Sequence, residues 1–231
     1  MKKLTLISSL LIFVVVYANS QKLADKYIKG SIYLNNGTVI QGYIFFDLLN
    51  VESFQKSVSY FTDSIYETVK ATDKLRLKNV EDVKPKEAKY FELADGKKFI
   101  SLKYADMTAA GAGSIPSYHF FQEIVAGKIS LYRKYNPAVT LTSDEATNAK
   151  AREWVLDNYE LLNQTADKVT KNIANIAIPD YISDNAEVLA RFNNDQYGDL
   201  LKVFKRKMKV GEIKHPQYEK DFIKLLTDYN Q

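Results

Sequence analysis

A short turn near the N-terminus constrains the fold more than any other stretch of this chain. Residues 29–46 read KGSIYLNNGTVIQGYIFF, in which Asn35-Asn36-Gly37 separates two runs rich in β-branched and aromatic residues. Such a turn between alternating apolar residues is typical of a β-hairpin. Because an isolated hairpin is barely stable in water, the pattern also predicts further strands that pair with it.

Two registers are compatible with this turn. A two-residue loop at Asn36-Gly37 pairs Leu34 with Val39. A three-residue loop, with Gly37 in the left-handed conformation, pairs Leu34 with Thr38. The three-residue loop is favoured because it separates two faces more cleanly. These faces hold Ile32, Leu34, Ile40 and Ile44 on one side, and Tyr33, Val39, Gln41 and Tyr43 on the other.

A second hairpin is predicted in residues 89–104, which turn at Asp95-Gly96. As a two-residue loop this turn pairs Phe91 with Ile100. The apolar residues that then share one face are Phe91, Leu93, Ile100 and Leu102.

A third hairpin is predicted in residues 119–135, with a turn at Gly127-Lys128. Its register aligns Ile124 with Leu131 and Phe120 with Tyr135. Residues 58–62 and 75–77 alternate like short strands. The charged stretch 79–87, the Gly-rich stretch 106–117 and their prolines indicate connections.

Helical signals follow Pro137, which closes the β-rich part. Ser143-Asp144-Glu145 has the capping serine and the acids of a helix start. Beyond it, apolar residues recur at alternating spacings of four and three, which predicts a helix. They are Val155, Tyr159, Leu162, Ala166, Val169, Ile173 and Ile176. Such a stripe either docks on neighbouring structure or forms a coiled coil, and docking is the expectation here.

Three shorter helices are expected after Pro179. Ser183-Asp184 predicts the start of one that runs to Phe192, and residues 195–209 predict another. Pro216 marks the first position of the last helix. Its inward residues are Tyr218, Phe222, Leu225, Leu226 and Tyr229. The sequence therefore predicts an α+β protein, with an antiparallel sheet or partly closed barrel of hairpins in residues 21–137 and a helical half in residues 138–231 packed on it.

The first 20 residues, MKKLTLISSLLIFVVVYANS, have the basic start, apolar centre and small terminal residues of a secretory signal peptide. Cleavage is expected before Gln21, and the alternative is an uncleaved anchor. The apolar run is short for a span, which needs about 20 residues. The chain contains no cysteine, which excludes disulfides and lipid attachment at cysteine. The predicted location is the periplasm, the outer-membrane surface or the medium.

Charge argues against a dedicated nucleic-acid binder. The whole chain carries +4, and loss of Lys2 and Lys3 with the signal leaves +2. A basic stripe with a high net charge is the usual footprint of nucleic-acid binding.

The opening hairpin resembles a recurring type of uncharacterised exported protein from Bacteroidetes-like bacteria. The shared pattern is G-x-I-x-L-x-x-G-x-x-I-x-G-Y-I, here Gly30, Ile32, Leu34, Gly37, Ile40, Gly42, Tyr43 and Ile44. Residues 181–192 and the terminal Asp228-Tyr229-Asn230 are also similar to the ends of such proteins. The resemblance implies export and a β-then-α layout, and it carries no known active site.

Catalytic candidates are few. His119 and His215 are the two histidines, and a Ser-His-Asp arrangement needs one of them as its base. His119 follows a loop that carries Ser114 and Ser117, but the chain has no G-x-S-x-G elbow. A strand-edge histidine without a catalytic role is the favoured interpretation.

No metal site or cofactor is predicted. The chain has no H-E-x-x-H or calcium-loop pattern, and Gly111-Ala112-Gly113 lacks the third glycine of a dinucleotide loop. One basic run could contact an anionic surface such as lipid headgroups or glycans. It consists of Lys202, Lys205, Arg206, Lys207 and Lys209. The favoured alternative is a helix whose basic end complements its own dipole.

The expected function is a non-enzymatic binding or structural module of the periplasm or cell envelope, with an envelope component or polysaccharide as a possible partner. The rival is a hydrolase of envelope or extracellular polymer that uses carboxylates or His119. Two carboxylates about 5–10 Å apart in a deep pocket would favour the hydrolase. A shallow, aromatic-lined groove with no titratable cluster would favour binding.

Overall fold

Ten strands form one open antiparallel sheet in the computed structural model, which describes residues 22–104, 116–138, 144–157, 159–165, 171–172, 178–205 and 215–231. The strands are β1 (Tyr27–Leu34), β2 (Val39–Phe45), β3 (Val58–Phe61), β4 (Glu81–Val83), β5 (Ala88–Leu93), β6 (Lys98–Tyr104), β7 (Ser117–Val125), β8 (Ile129–Tyr135), β9 (Tyr159–Thr165) and β10 (Lys171–Asn172). Their order is β10-β9-β8-β7-β6-β5-β1-β2-β3-β4. Two runs of successive strands therefore meet where β5 pairs with β1.

The helices lie mostly in the C-terminal part. They are α1 (Glu52–Gln55), α2 (Asp63–Thr72), α3 (Glu145–Asp157), α4 (Ile178–Tyr181), α5 (Ala186–Asn193), α6 (Leu200–Lys205) and α7 (His215–Asn230). Short 3₁₀ helices span Leu23–Lys26, Leu48–Asn50, Leu77–Asn79 and Pro85–Glu87. The predicted α+β class is confirmed, with an open sheet rather than a barrel. Within the described ranges no helix is long and apolar enough to cross a membrane.

The opening hairpin has the predicted three-residue loop. The N–H of Leu34 donates to the carbonyl of Thr38 at 2.9 Å, and Ile32 pairs with Ile40. Gly37 has a φ of +89°, in the left-handed region that favours glycine. Ile32 and Ile44 are buried in the main core, so the predicted apolar face is confirmed.

The register predicted for the second hairpin is wrong by one residue. Phe91 pairs with Phe99 rather than Ile100, and the N–H of Leu93 donates to the carbonyl of Lys97. The loop therefore has three residues, and the slip sends the two ends of the predicted face to opposite sides of the sheet. Phe91 and Phe99 lie in the main core, whereas Leu102 lies in a second cluster.

The third hairpin keeps the predicted register in its middle, where Gln122 pairs with Arg133. A β-bulge near the turn shifts the ladder, so that Leu131 faces Val125 instead of Ile124. A bulge of this kind places two residues of one strand opposite one of its neighbour.

The predicted helix from Val155 to Ile176 is wrong. Val155 lies near the end of α3, and the chain then forms β9, which pairs with β8 from Tyr159–Tyr135 to Thr165–Ile129. Leu161 and Leu162 are both fully buried but belong to different clusters on the two faces of the sheet. A strand buried on both faces lacks polar alternation, which is why its leucines could be read as a helical stripe. Residues 166–170 and 173–177 lie outside the described residues.

Three local predictions between residues 58 and 87 had mixed outcomes. The strand at 58–62 is confirmed as β3, whereas 75–77 forms no strand and leads into the 3₁₀ helix Leu77–Asn79. The stretch 79–87, read as a connection, contains the short edge strand β4. Helix α2 was not predicted.

The predicted start of α3 and the last helix are confirmed. Asp144 accepts a hydrogen bond from the N–H of Thr147 at 2.8 Å. In α5 the cap is Asn185, whose side chain accepts from Val188, rather than Ser183 or Asp184. The predicted signal peptide, Ser143 and residues 206–209 lie outside the described residues.

One core joins the two parts of the chain. The main cluster contains side chains from the sheet and from α1, α3 and α4–α7. Its members from the C-terminal helices and the segments between them are Val155, Ile178, Ile182, Val188, Phe192, Tyr197, Leu200, Phe222, Leu225, Leu226 and Tyr229. The C-terminal helices therefore cover one face of the sheet, as predicted.

The last turn of α7 is tied to distant segments by polar contacts. The hydroxyl of Tyr197 donates to Asp228 at 3.0 Å, and that of Tyr229 donates to Asp184 at 2.8 Å. The side chain of Asn230 accepts from the N–H of Ile129 at 3.1 Å and donates to its carbonyl at 3.0 Å. Asp228, Tyr229 and Asn230 therefore hold the last helix to β8 and to the segments on either side of α5.

Candidate functional site

A cavity of about 300 Å³ opens at the end of β7, beneath α1. Eleven side chains from three parts of the chain line it: Val51, Glu52, Gln55 and Lys56; Tyr104, His119 and Phe121; and Lys134, Tyr135, Asn136 and Pro137. We call it the α1–β7 cavity. It contains His119, the histidine that the sequence singled out.

Gln55 fixes the floor of the α1–β7 cavity. Its amide nitrogen donates to the carbonyl of Tyr135, and its amide oxygen accepts from the N–H of Tyr135, both at 2.9 Å. A side-chain amide offers a donor and an acceptor as a peptide group does. Gln55 thus occupies the place opposite Tyr135 that the sequence assigned to Phe120, and it holds α1 rigidly against β8.

Aromatic rings form one wall. Tyr104 and Phe121 meet edge to face with centroids 5.5 Å apart, and His119 stacks on Phe121 at 5.9 Å. The ammonium of Lys134 lies 5.3 Å from the centroid of the Tyr104 ring. A cation over an aromatic face is held by the ring's quadrupole. This wall therefore joins an apolar surface to a positive charge.

Glu52 is the one carboxylate among the eleven lining residues. It pairs with Lys56, one helical turn away, and both side chains are more than half exposed. Exposed pairs of this kind contribute little stability because water screens them. The rim therefore carries an exposed pair of opposite charges, and two carboxylates do not face each other across the described lining.

Ser117 and His119 are brought together, with 2.8 Å between the Ser117 hydroxyl and Nε2 of His119. Both residues lie on β7, and Ser117 pairs with Tyr104 of β6. An oxyanion hole needs N–H groups that converge beside the nucleophile. Successive N–H groups of a strand point to opposite sides, so the described residues of β7 do not provide that convergence at Ser117. Ser114 lies outside the described residues.

A buried polar network lies behind the cavity floor. The hydroxyl of Tyr135 donates to the side-chain oxygen of Gln122 at 2.5 Å, and Nη1 of Arg133 lies 3.2 Å from the same hydroxyl. Nη2 of Arg133 donates to both carboxylate oxygens of Glu219, at 2.7 and 2.8 Å. This ion pair joins β8 to α7, so the last helix supports the cavity from behind.

The electrostatics of this network favour the charged guanidinium of Arg133 and the neutral hydroxyl of Tyr159. Burial disfavours the charged guanidinium of Arg133, but Tyr135 and Glu219 outweigh it and raise its pKa. Burial, and then the hydrogen bond to Glu219, raise the pKa of Tyr159. Tyr159 therefore remains a hydroxyl that donates to Glu219. Nε of Arg133 is buried without a hydrogen-bond acceptor among the described residues.

The structure describes only part of the basic run. Lys202 pairs with Asp199 at 2.7 Å and lies 3.7 Å from Asp195. The hydrogen bond to Asp199 raises the pKa of Lys202. Lys202 therefore lies beside two acids that are close to it in sequence. Lys205 is the last residue of α6, and Arg206, Lys207 and Lys209 lie outside the described residues.

Sequence reasoning found His119 and Ser117 but missed the side chains that shape the cavity. Gln55 and Tyr135 are 80 positions apart, and no motif links them. Successive side chains of β8 point to opposite faces of the sheet, so Lys134 and Tyr135 lie on different faces. This alternation is a local signal for the position of Lys134.

No known protein family, curated protein or solved structure matches this chain. Among the described residues, no group of three or more His, Asp or Glu side chains could hold a metal ion.

Proposed function

We propose that this protein is an exported, non-enzymatic binding module of the bacterial periplasm or cell envelope, and that the α1–β7 cavity holds its ligand. One observation carries the proposal: Gln55, bonded to both backbone groups of Tyr135, lines an open cavity together with an aromatic wall and a cation. Binding sites generally combine an apolar lining with a few placed polar groups and have volumes of about 300–1,000 Å³. Export rests on the N-terminal pattern.

The ligand we propose is a saccharide group of an envelope polymer. A sugar ring has an apolar face that stacks on aromatic side chains and hydroxyls that need hydrogen-bond partners. The cavity volume suits a group of that size. Tyr104 and Phe121, which meet edge to face, supply the aromatic part of the wall, and Asn136 and Lys134 supply polar groups at its edge.

A titration of the purified protein with oligosaccharides from bacterial envelope polymers tests this function. Calorimetry should give saturable binding, and Tyr104→Ala should weaken it about three- to tenfold through loss of ring stacking. Lys103→Ala is the matched control, because Lys103 is exposed on the neighbouring position of β6 and does not line the cavity. Melting curves confirm that each variant is folded. Absence of binding across neutral and anionic saccharides contradicts the proposal.

The hydrolase hypothesis has one observation in its favour, the contact between Ser117 and His119. A chromogenic ester and polysaccharide digestion assays test it, with His119→Ala as the diagnostic variant. Loss of a measurable turnover in His119→Ala would replace the binding proposal with an enzymatic one. We expect no turnover, since the strand geometry at Ser117 lacks converging N–H donors.

A further inference from the structure

Leu77 has the most exposed large apolar side chain in the described part of the chain. Its accessible fraction is 87%, and the next highest value is 47%, for Val39. Its neighbour Leu75 packs against the buried cluster that contains Phe61 and Val69. The two leucines of the sequence KLRLK therefore differ: one belongs to a core, and the other points away from it.

Four cations surround this leucine in sequence. Lys70, Lys74, Arg76 and Lys78 are all exposed, and together with Leu77 we call them the basic corner. Across the described ranges, none of the four makes an ion pair or a side-chain hydrogen bond. Residues 70–78 contain four cations and one acid, so this corner presents a net positive charge to its surroundings.

Three acids near Leu77 in sequence accept hydrogen bonds within the fold. Asp73 accepts from the N–H of Leu23 at 2.8 Å. Glu81 accepts from the Tyr60 hydroxyl at 2.6 Å, and Asp82 accepts from the Ser59 hydroxyl at 2.5 Å. These three carboxylates keep their charge but are oriented by hydrogen bonds from neutral groups of the fold, and Glu67, three positions before Lys70, is exposed on α2. None of these acids forms an ion pair with the four cations among the described residues.

The backbone holds Leu77 in this outward position. Asp73 has a φ of +51° and ends α2, with its N–H donating to the carbonyl of Val69 at 2.7 Å. A second turn closes where the N–H of Asn79 donates to the carbonyl of Arg76 at 2.9 Å. Leu77 thus sits on a hydrogen-bonded turn rather than on a loose tip.

A recess lies beside the exposed leucine. Its volume is about 330 Å³, and its lining combines apolar side chains of α2 with the stems of two cations. The lining residues are Ile65, Thr68, Val69, Thr72, Lys74, Leu75, Arg76 and Asn79. Such a recess has room for a phosphate-bearing group next to Lys74 and Arg76.

We propose that the basic corner docks the protein on the surface of an anionic phospholipid bilayer. Leu77 enters the boundary between headgroups and acyl chains, and the four cations lie at the level of the lipid phosphates. Interfacial segments combine apolar side chains with lysines and arginines in this way. One leucine and four cations give reversible docking on the surface, and the docking is independent of the ligand of the α1–β7 cavity.

Sedimentation with lipid vesicles tests the proposal. The protein is used as the producing cell delivers it, with its N-terminus read by mass spectrometry. It should bind vesicles of phosphatidylcholine mixed with phosphatidylglycerol, should bind pure phosphatidylcholine far less, and should be released by salt. Replacement of Lys74 and Lys78 by glutamine should weaken binding about fivefold for each charge. Leu77→Ser should weaken it about tenfold.

A control double variant tests whether vesicle binding depends on the basic corner or only on the total positive charge of the protein. Lys84→Gln with Lys86→Gln removes the same charge from exposed positions without a neighbouring exposed leucine. This control should bind the anionic vesicles nearly as well as the wild type. Three outcomes would each overturn the proposal. They are an equal loss of vesicle binding in the Lys74/Lys78 and Lys84/Lys86 variants, equal binding to neutral and anionic vesicles, and unchanged binding of Leu77→Ser. Melting curves of all variants should match, because every replaced side chain is exposed.

Discussion

The opening hairpin and the last helix are held in place by contacts of very different range. In the hairpin β1–β2, the turn closes through bonds such as that from the N–H of Thr38 to Asn36, two positions apart. In α7, Asn230 bonds to Ile129, 101 positions away, and Glu219 bonds to Arg133, 86 positions away. The hairpin can therefore form from local interactions, whereas α7 has its place only once the sheet exists.

This difference separates two kinds of sensitivity to mutation. A change in a local turn strains a few residues and leaves distant packing intact. A change in a long-range contact disconnects two parts of one core, because the main cluster draws on both parts of the chain. We therefore expect the largest losses of stability where the helices meet the sheet and the smallest within β1–β2.

Removal of the whole C-terminal part should have the largest effect. A chain that ends at Tyr135 lacks β9 and α3–α7, which exposes the edge of β8 and the apolar face beneath the helices. Exposed edges and apolar faces promote aggregation. We expect an insoluble or loosely folded product, measured by size-exclusion chromatography and thermal melting. A stable monomer with a sharp transition would show two independent domains and end the comparison.

Loss of the ion pair between β8 and α7 should come next. Arg133→Met leaves Glu219 buried without its cation, and breaking such a pair costs about 3–5 kcal/mol. The double variant with Glu219→Leu should recover much of that loss, since both charges are then absent. Urea unfolding measures both changes. Equal stability of Arg133→Met and the wild type would mean that the pair does not hold α7.

Asn230→Ala should destabilise by about 1–3 kcal/mol, because the N–H and carbonyl of Ile129 lose their partner in a buried setting. Ile129 is 2% exposed, so water does not readily replace the amide. Asn193→Ala is the control, since Asn193 is exposed at the end of α5. Hydrogen exchange at Ile129 should quicken in the first variant and not in the second.

Gly37→Val tests the local side of the comparison. The φ of +89° strains a β-branched residue, at a cost of about 1–3 kcal/mol. A Cβ at this position meets no atom within 4 Å, so the cost comes from the backbone alone. Gly37→Asn should lose less, because asparagine tolerates the left-handed region. A melting temperature for Gly37→Val equal to that of the wild type would contradict this account of the turn.

Alkaline pH should expose the smallest effect, at the start of β1. Burial, and then the charge of Asp82, raise the pKa of Tyr27 to about 12, compared with about 10 in an unfolded chain. The neutral hydroxyl is thus favoured in the folded state, and its contribution is present below about pH 10 and lost as the pH rises towards 12. The urea midpoint of Tyr27→Phe should fall less than that of the wild type over this interval. An equal fall of the urea midpoint in the two proteins would contradict this prediction.

Features set by local contacts were mostly predicted correctly from the sequence, whereas features set by distant contacts mostly were not. Gly37 determined a turn and a register correctly, because its conformational requirement acts within four residues. The stripe from Val155 misled because Leu161 and Leu162 face opposite cores in β9, and only the partners of a strand reveal that arrangement. At Asp95-Gly96 one additional loop residue was enough to exchange the faces of β6.

The candidate site was predicted only where its residues are neighbours in sequence. Ser117 and His119 are two positions apart and lie on one face of β7, as alternation requires. The contact between Gln55 and Tyr135 depends on α1 folding over the end of the sheet, and no local pattern announces it. Leu77 was read as part of a strand, so its exposure became apparent only from the structure.

The bond between Asn230 and Ile129 also has a consequence for the time course of folding during synthesis. At about 5–20 residues per second, the 101 positions between these residues correspond to roughly 5–20 seconds of translation. Throughout that interval the turn after β7 lacks its contact with α7, because that helix has not yet been synthesised. A nascent chain of this kind remains available to chaperones, or to an export channel that accepts unfolded polypeptide, until its last helix arrives.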